Sequence, residues 1–158
     1  MGTGIIRRLG KDIMTIRELD ETYFEKIKEL FQAVFSTSPW NENWSKEQLD
    51  LYMRELTEVR GSIVYGLFDQ DELIGMSVGR VKHWCEGTEY FIEEFCIRGD
   101  YQGKGCGRTF LSLIGEKIKE RGLNTIFLMT ERTQPAYEFY KHLGFTELPE
   151  LTSFVKNL

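Results

Sequence analysis

Glu89-Tyr90-Phe91-Ile92-Glu93-Glu94-Phe95-Cys96-Ile97-Arg98-Gly99-Asp100-Tyr101-Gln102-Gly103-Lys104-Gly105-Cys106-Gly107-Arg108-Thr109-Phe110 decides the fold. An aromatic and acidic strand runs into a glycine-rich turn that opens directly onto a helix. In Gln102 to Gly107 the glycines let backbone N–H groups converge on one anion, and the positive end of the following helix dipole reinforces them. Lys104 and Arg108 add mobile positive charge. The junction is built to hold a phosphate. Two familiar nucleotide loops fail on its spacing. A Walker A loop needs Gly-Lys followed by Ser or Thr, but Lys104 is followed by Gly105. A dinucleotide fingerprint needs a third glycine where Arg108 stands.

Working outward, the hydrophobic period alternates between strand and helix. Ile13 to Arg17 reads as a short strand. Asp20 is a good N-cap, and Phe24, Ile27, Leu30, Phe31 and Val34 recur at helical spacing until Pro39. Ser45, with Glu47 and Gln48 after it, opens a second helix carrying Leu49, Tyr52, Met53 and Leu56, which Gly61 closes. Ser62 to Phe68 and Leu73 to Trp84 are β-rich runs around a turn at Asp69 to Glu72. After the strand from Tyr90 to Ile97 come a helix from about Gly105 to Arg121, a strand at Thr125 to Met129 and a helix from Pro135 to His142. Two terminal strands are expected around Phe145 and Phe154. No repeat or linker interrupts this order. The expected fold is therefore a single α/β (α+β) domain, a mixed and mostly antiparallel sheet flanked by about four helices. Met14-Thr15-Ile16-Arg17 reads as a natural start, leaving residues 1–13 as an extension or disordered segment and 14–158 as the domain.

Composition narrows the function. At 158 residues, with 41% hydrophobic content, the chain can bury a sizeable single core. A net charge of -5 argues against a nucleic-acid binder and favours cationic small molecules. Cys85, Cys96 and Cys106 show no C-x-x-C spacing, so neither a disulfide framework nor a zinc site is expected, and reduced cytoplasm is the default location. No apolar run suggests a membrane span. Gly75-Met76-Ser77-Val78-Gly79 matches the G-x-S-x-G nucleophile elbow, but that motif needs a sharp strand-to-helix turn. Here the strand pattern continues through Val81, His83 and Trp84, so a hydrolase is not expected.

The pattern Gln/Arg-x-x-Gly-x-Gly/Ala at Gln102, Gly105 and Gly107, with Pro135-Ala136-Tyr137-Glu138-Phe139-Tyr140-Lys141-His142-Leu143-Gly144-Phe145 further on, resembles the GCN5-related N-acetyltransferase family over roughly residues 13 to 158. The resemblance implies acetyl-coenzyme A as co-substrate and no metal. Its diphosphate would lie on Gln102, Gly103, Lys104, Gly105, Cys106, Gly107 and Arg108. The strand residues Phe95, Cys96 and Ile97 would meet the rest of it, a backbone N–H near Cys96 or Ile97 facing the thioester oxygen because the family breaks regular pairing there. Thr133 stands where many relatives carry an asparagine that bonds the pantetheine arm, and a hydroxyl serves less completely. Tyr140 corresponds to the family's proton donor to the leaving thiolate, whereas Tyr137 reads as packing. The resemblance also implies a small-molecule amine as partner, while charge and hydropathy leave no nucleic acid or membrane expected. Dimerisation is common in the family, and no residue here decides it.

The amine acceptor is protonated at neutral pH and needs a base. Glu93 and Glu94 are adjacent, so on a regular strand they point to opposite faces and at most one faces a given pocket. Phe91 to Phe95 with Asp100-Tyr101 also resembles the polyamine acetyltransferases, which places the base at Glu93. Glu89 or a water relay remain open, as does a solvated or ion-paired role for both glutamates. Glu94 then falls to the substrate side. So do Trp40, Glu42 and Trp44, in a segment that either forms an aromatic and anionic rim for an amine or packs a helix corner. Similar Pro-Trp segments occur in aminoglycoside acetyltransferases. Cysteine is most often buried and no histidine lies near Cys96 or Cys106 in sequence, which favours direct transfer in a ternary complex over a thiol-bound acyl group. The alternative is a catalytically silent acyl-CoA-binding or interaction module on the same fold.

Overall fold

A computed structural model of the chain describes residues 6–9 and 12–158. Its strands are β1 (Ile6–Leu9), β2 (Asp12–Glu18), β3 (Ser62–Asp69), β4 (Glu72–Trp84), β5 (Gly87–Ile97) and β6 (Thr125–Leu128). They form one sheet in the order β1-β2-β3-β4-β5-β6. Every neighbouring pair is antiparallel except β5 and β6, whose parallel pairing is made possible by a helical crossover. The helices are α1 (Phe24–Phe35), α2 (Lys46–Glu58), α3 (Cys106–Glu120) and α4 (Pro135–His142). The expected mixed, mostly antiparallel sheet with four helices is what the chain adopts.

Local chemistry starts the helices where the sequence suggests. The Asp20 carboxylate accepts from the Thr22 N–H at 3.0 Å and opens a single turn of 3-10 helix before α1. Ser45 accepts from the Gln48 N–H at 3.1 Å and opens α2. Pro135 occupies the first turn of α4, where its missing N–H costs nothing. Helices α1 and α2 bury Ile27, Phe31, Leu49 and Met53 against Val64, Phe68, Met76 and Val78 on one sheet face. On the other face, Phe110, Leu113 and Ile114 of α3 pack on Tyr65, Tyr90 and Ile92, with Phe139 and Tyr140 of α4 at the margin.

Two irregularities in β5 matter for the site. Opposite β4, Val78 pairs with Glu94 but Gly79 pairs with Ile92, so Glu93 is an extra residue. Gly79 is needed there, because a Cβ would stand 2.4 Å from the Phe91 carbonyl oxygen. On its other edge, β5 pairs with β6 only from Glu89↔Thr125 to Ile92↔Leu128. From Glu93 to Ile97 that edge of β5 is open.

The structure departs from expectation at both ends. Ile6–Leu9, which the sequence places in an extension ahead of the domain, form a strand paired with β2, and β2 itself begins at Asp12. Residues 1–5, 10 and 11 of that expected extension lie outside the described residues. The strands expected around Phe145 and Phe154 do not form, and residues 143–158 contain no strand. The Phe145 N–H is bound to the Tyr140 carbonyl in the turn that ends α4. Glu147 is held by Arg132 at 2.6 Å and Tyr137 at 2.8 Å, and the chain turns again at Pro149 with the Leu151 N–H on the Leu148 carbonyl. The Phe145 and Leu151 N–H groups are thus spent in turns, and Phe154 ends 94% exposed.

Candidate active site

The glycine turn sits at the end of β5 and is braced on both sides. Arg98 pairs with Asp100 at 2.7 Å and with Glu72 at 2.6 Å, while the Tyr101 hydroxyl donates to Asp69 at 2.8 Å. Arg98 and Tyr101 therefore tie the turn to the β3–β4 hairpin, and Asp100 holds Arg98 in place. The Gln102 amide donates to the Ile97 carbonyl at 2.8 Å. That contact gives Gln102 a loop-shaping position and occupies an acceptor on the open edge. Gly103 and Gly105 have φ of 71° and 82°, the left-handed region that a side chain disfavours. Gly105 is the N-cap of α3 and offers no side chain of its own, so the N–H groups of the first turn, those of Gly107 and Arg108 among them, point outward along the axis. No acidic residue stands in that first turn. Lys104 and Arg108 are exposed beside it. The cradle is positive and open, as a diphosphate requires.

Gly107 serves a different purpose. A Cβ on it would come 2.9 Å from the Phe139 ring, so its absence lets α4 approach α3. The approach brings Tyr140 toward the open edge of β5. Tyr140 packs edge-on against Phe139 and Phe145, with centroids 5.2 and 5.3 Å away. Burial, then the nearby charge of Glu94, holds its phenol well above the usual tyrosine range. It is a protonated donor at any physiological pH.

The Arg98 N–H donates to the Ile74 carbonyl across β4. Peptide groups alternate sides along a strand, so those of Phe95 and Ile97 face away from β4, into the open edge, while Cys96 faces β4. The N–H groups available to a thioester oxygen or to the amides of an extended ligand are thus those of Phe95 and Ile97. Cys96, named with them from sequence, offers a buried side chain instead, and burial pushes its thiol far up from the ordinary range. Cys106 is buried in the α3 core cluster. Neither position favours a thiolate nucleophile.

The extra residue in β5 overturns the expectation that Glu93 and Glu94 face opposite sides. Ile92 and Phe95 both pack toward α3. Counting in from either end, Glu93 and Glu94 then both fall on the α2 side. Their surroundings differ. Glu93 is a quarter exposed, with an oxygen 3.9 Å from Arg80 Nε. Glu94 is more enclosed, and the Tyr52 hydroxyl donates to it at 2.5 Å. Burial pushes the Glu94 carboxyl up to about 7, a rise that the Tyr52 bond opposes and the charges of Glu42 and Glu93 assist.

The connection between α1 and α2 reaches the same place. Trp44 stacks on Tyr52 with centroids 5.0 Å apart, and its Nε1 donates to Glu42 at 2.6 Å. Trp40 instead packs against Phe35 at 5.5 Å, as a corner residue. The chain therefore gathers Glu42, Trp44, Tyr52, Glu93, Glu94 and Tyr140 around the open edge of β5. Tyr52 was legible only as one apolar position in the period of α2. Thr133 is exposed in the turn before α4, and Glu89 lies where β5 and β6 still pair. Ser77 of the G-x-S-x-G match is buried on β4 and bonds the Tyr90 hydroxyl at 3.1 Å. No elbow forms there. Among the described residues, no group of three or more His, Cys, Asp or Glu could hold a metal ion, and no helix is long and apolar enough to cross a membrane.

A split in a sheet, a glycine cradle at its end and a half-buried acid and phenol beside it define an acyl-CoA-binding transferase fold. The model of the acetyltransferase (GNAT) family matches residues 18–145, and the chain belongs to that family. It is an N-acetyltransferase with acetyl-CoA as co-substrate. No curated protein matches its sequence. Among solved structures, it is similar to a possible acetyltransferase from Clostridium difficile 630, with a TM-score of 0.76 and 14% identity over 92% of this chain and 97% of that one. An aminoglycoside acetyltransferase from an uncultured soil metagenomic sample, in complex with sisomicin, has a TM-score of 0.71 and 18% identity over 92% and 96%. The aminoglycoside N-acetyltransferase AAC(6')-Iy, in complex with the bisubstrate analog CoA-S-monomethyl-acetylneamine, has 0.71 and 14% over 92% and 99%.

Proposed function

We propose that the protein acetylates a primary amine of a small cationic molecule by direct transfer in a ternary complex, with Glu94 as general base and Tyr140 as general acid. The observation that carries this reading is the open edge of β5, where a proton acceptor and a proton donor converge next to an anion cradle. The cradle from Gly103 to Arg108 holds the diphosphate, and the free N–H groups of Phe95 and Ile97 align the arm that leads to the thioester. Acetyl-CoA supplies the activated acetyl group. The chain supplies the rest. Glu94, poised near neutrality, takes a proton from the incoming ammonium so that the nitrogen can attack. A β5 N–H receives the carbonyl oxygen as charge develops on it. Tyr140 gives its proton to the departing sulfur. The base role moves from Glu93 to its neighbour because Glu94 has the enclosure that a general base near pH 7 needs.

The buried positions of Cys96 and Cys106 support direct transfer over a thiol-bound acetyl group. The acidic cluster of Glu42, Glu93 and Glu94 beside Trp44 supports a cationic acceptor, and the sisomicin complex of a similar fold is in keeping with that class. The decisive measurement is thiol release from acetyl-CoA against polyamines, aminoglycosides, simple alkylamines and a peptide with a free amino terminus. Turnover with a cationic amine, lost in Glu94→Gln and Tyr140→Phe with coenzyme A binding retained, is the expected result. Binding of coenzyme A with no turnover on any amine would instead mark a silent acyl-CoA-binding module.

A further inference from the structure

We propose that Tyr52 is a positioning residue for the proton-transfer step, fixing the Glu94 carboxylate and coupling it to the acceptor-side segment that carries Glu42 and Trp44. The inference rests on the assignment of Glu94 as the base. Three contacts in series support it. The Tyr52 hydroxyl donates to Glu94 at 2.5 Å, its ring lies within 19° of parallel on Trp44 at 5.0 Å, and the Trp44 indole N–H donates to Glu42 at 2.6 Å. Phe31 supports both rings from α1, 5.7 Å from Trp44 and 5.9 Å from Tyr52. The Tyr52 phenol therefore has little freedom of its own. Whatever displaces the Glu42–Trp44 pair reaches the base through a rigid aromatic stack.

The charged and titratable groups around Glu94 come from four elements and the loop between α1 and α2, and their effects carry opposite signs. Tyr52 of α2 donates to the carboxylate and favours its ionised form. Glu42 of the loop and Glu93 of β5 repel a second negative charge, and Arg80 of β4 sits 3.9 Å from Glu93 and softens that repulsion. Tyr140 of α4 and Cys96 of β5 stay neutral. Removing the Tyr52 hydroxyl should therefore make Glu94 harder to ionise, whereas removing the Glu42 charge should make it easier. A mere packing role for these residues gives no such opposition.

The test is a carbon-detected NMR titration of the Glu94 side chain in the resting protein, alongside the pH profile of kcat/KM, for wild type, Tyr52→Phe and Glu42→Gln. Glutamine keeps an acceptor for Trp44, so the second variant removes charge alone. Tyr52→Phe is expected to raise the Glu94 midpoint by about one pH unit, the scale of one charge-assisted hydrogen bond, and to move the acidic limb of kcat/KM with it. Its kcat should fall while KM for acetyl-CoA stays put. Glu42→Gln should move the midpoint down. A midpoint that ignores Tyr52→Phe, or falls, in an enzyme that still turns over would overturn the role of Tyr52 alone. A wild-type protein with no turnover on any amine would remove the base assignment and this role with it, whatever the titration shows.

Discussion

Replacing Glu94 by glutamine should make the protein more stable in alkaline solution and less active. The carboxyl ordinarily titrates near 4.5 and is pushed up to about 7 in the folded chain. Its folded pKa is raised, so between those values the folded state binds more protons than the unfolded one, and stability falls as pH rises. At about 1.4 kcal/mol per unit, the full shift corresponds to roughly 3 kcal/mol. Near pH 5 the carboxyl is still protonated in the folded chain and only about 1 kcal/mol of the penalty is present, whereas by pH 9 essentially all of it is. Glutamine has the same shape, can accept from Tyr52 and never ionises. The gap between variant and wild type should therefore widen in favour of the variant by about 2 kcal/mol from pH 5 to pH 9, equivalent to roughly 4–8 °C in Tm for a chain of this length. Urea denaturation of both proteins at each pH reads that gap directly, because carboxylates common to both cancel. A gap that stays constant with pH, or a variant less stable at pH 9, would refute the claim that Glu94 is held as a strained base.

The other expectations are more local. In wild type, kcat/KM should climb with pH through about 7 and level off above it, since the proposed base, Glu94, must be ionised to accept a proton; a profile flat from pH 5.5 to 8.5 would argue for a different base. Tyr140→Phe should lower kcat by about 100-fold or more with coenzyme A affinity unchanged by isothermal titration. Gly107→Val should destabilise by about 1–3 kcal/mol in thermal denaturation and lower turnover, because its side chain meets the Phe139 ring 2.9 Å from Cβ and displaces the helix that carries Tyr140. Gly105→Ala, at φ 82°, should cost about 1–2 kcal/mol and weaken coenzyme A binding several-fold in the same titration.

Much of this molecule is written locally. The Asp20 and Ser45 caps, the apolar spacing of α1 and α2, Pro135 at the start of α4 and the glycine turn before α3 depend on interactions a few residues long, so they are legible in the chain and appear where expected. The family resemblance at Gln102 to Gly107 and Pro135 to Phe145 is local in the same sense, and the family match spans both. What the chain could not disclose by itself depends on pairing across the sheet. Two-residue alternation puts Glu93 and Glu94 on opposite faces, and only the mismatch with β4, one residue long, turns both toward α2. Tyr52 looks like a core position until Glu94 arrives from 42 residues away to meet its hydroxyl. Burial, which lifts the Glu94 carboxyl and keeps the Tyr140 phenol protonated, likewise exists only once four elements have closed around them. Short-range hydrogen bonds and periodicity thus determine the elements and the anion cradle from sequence alone, whereas the choice of base belongs to the tertiary structure, because desolvation and register are properties of neighbours that the chain brings together only by folding.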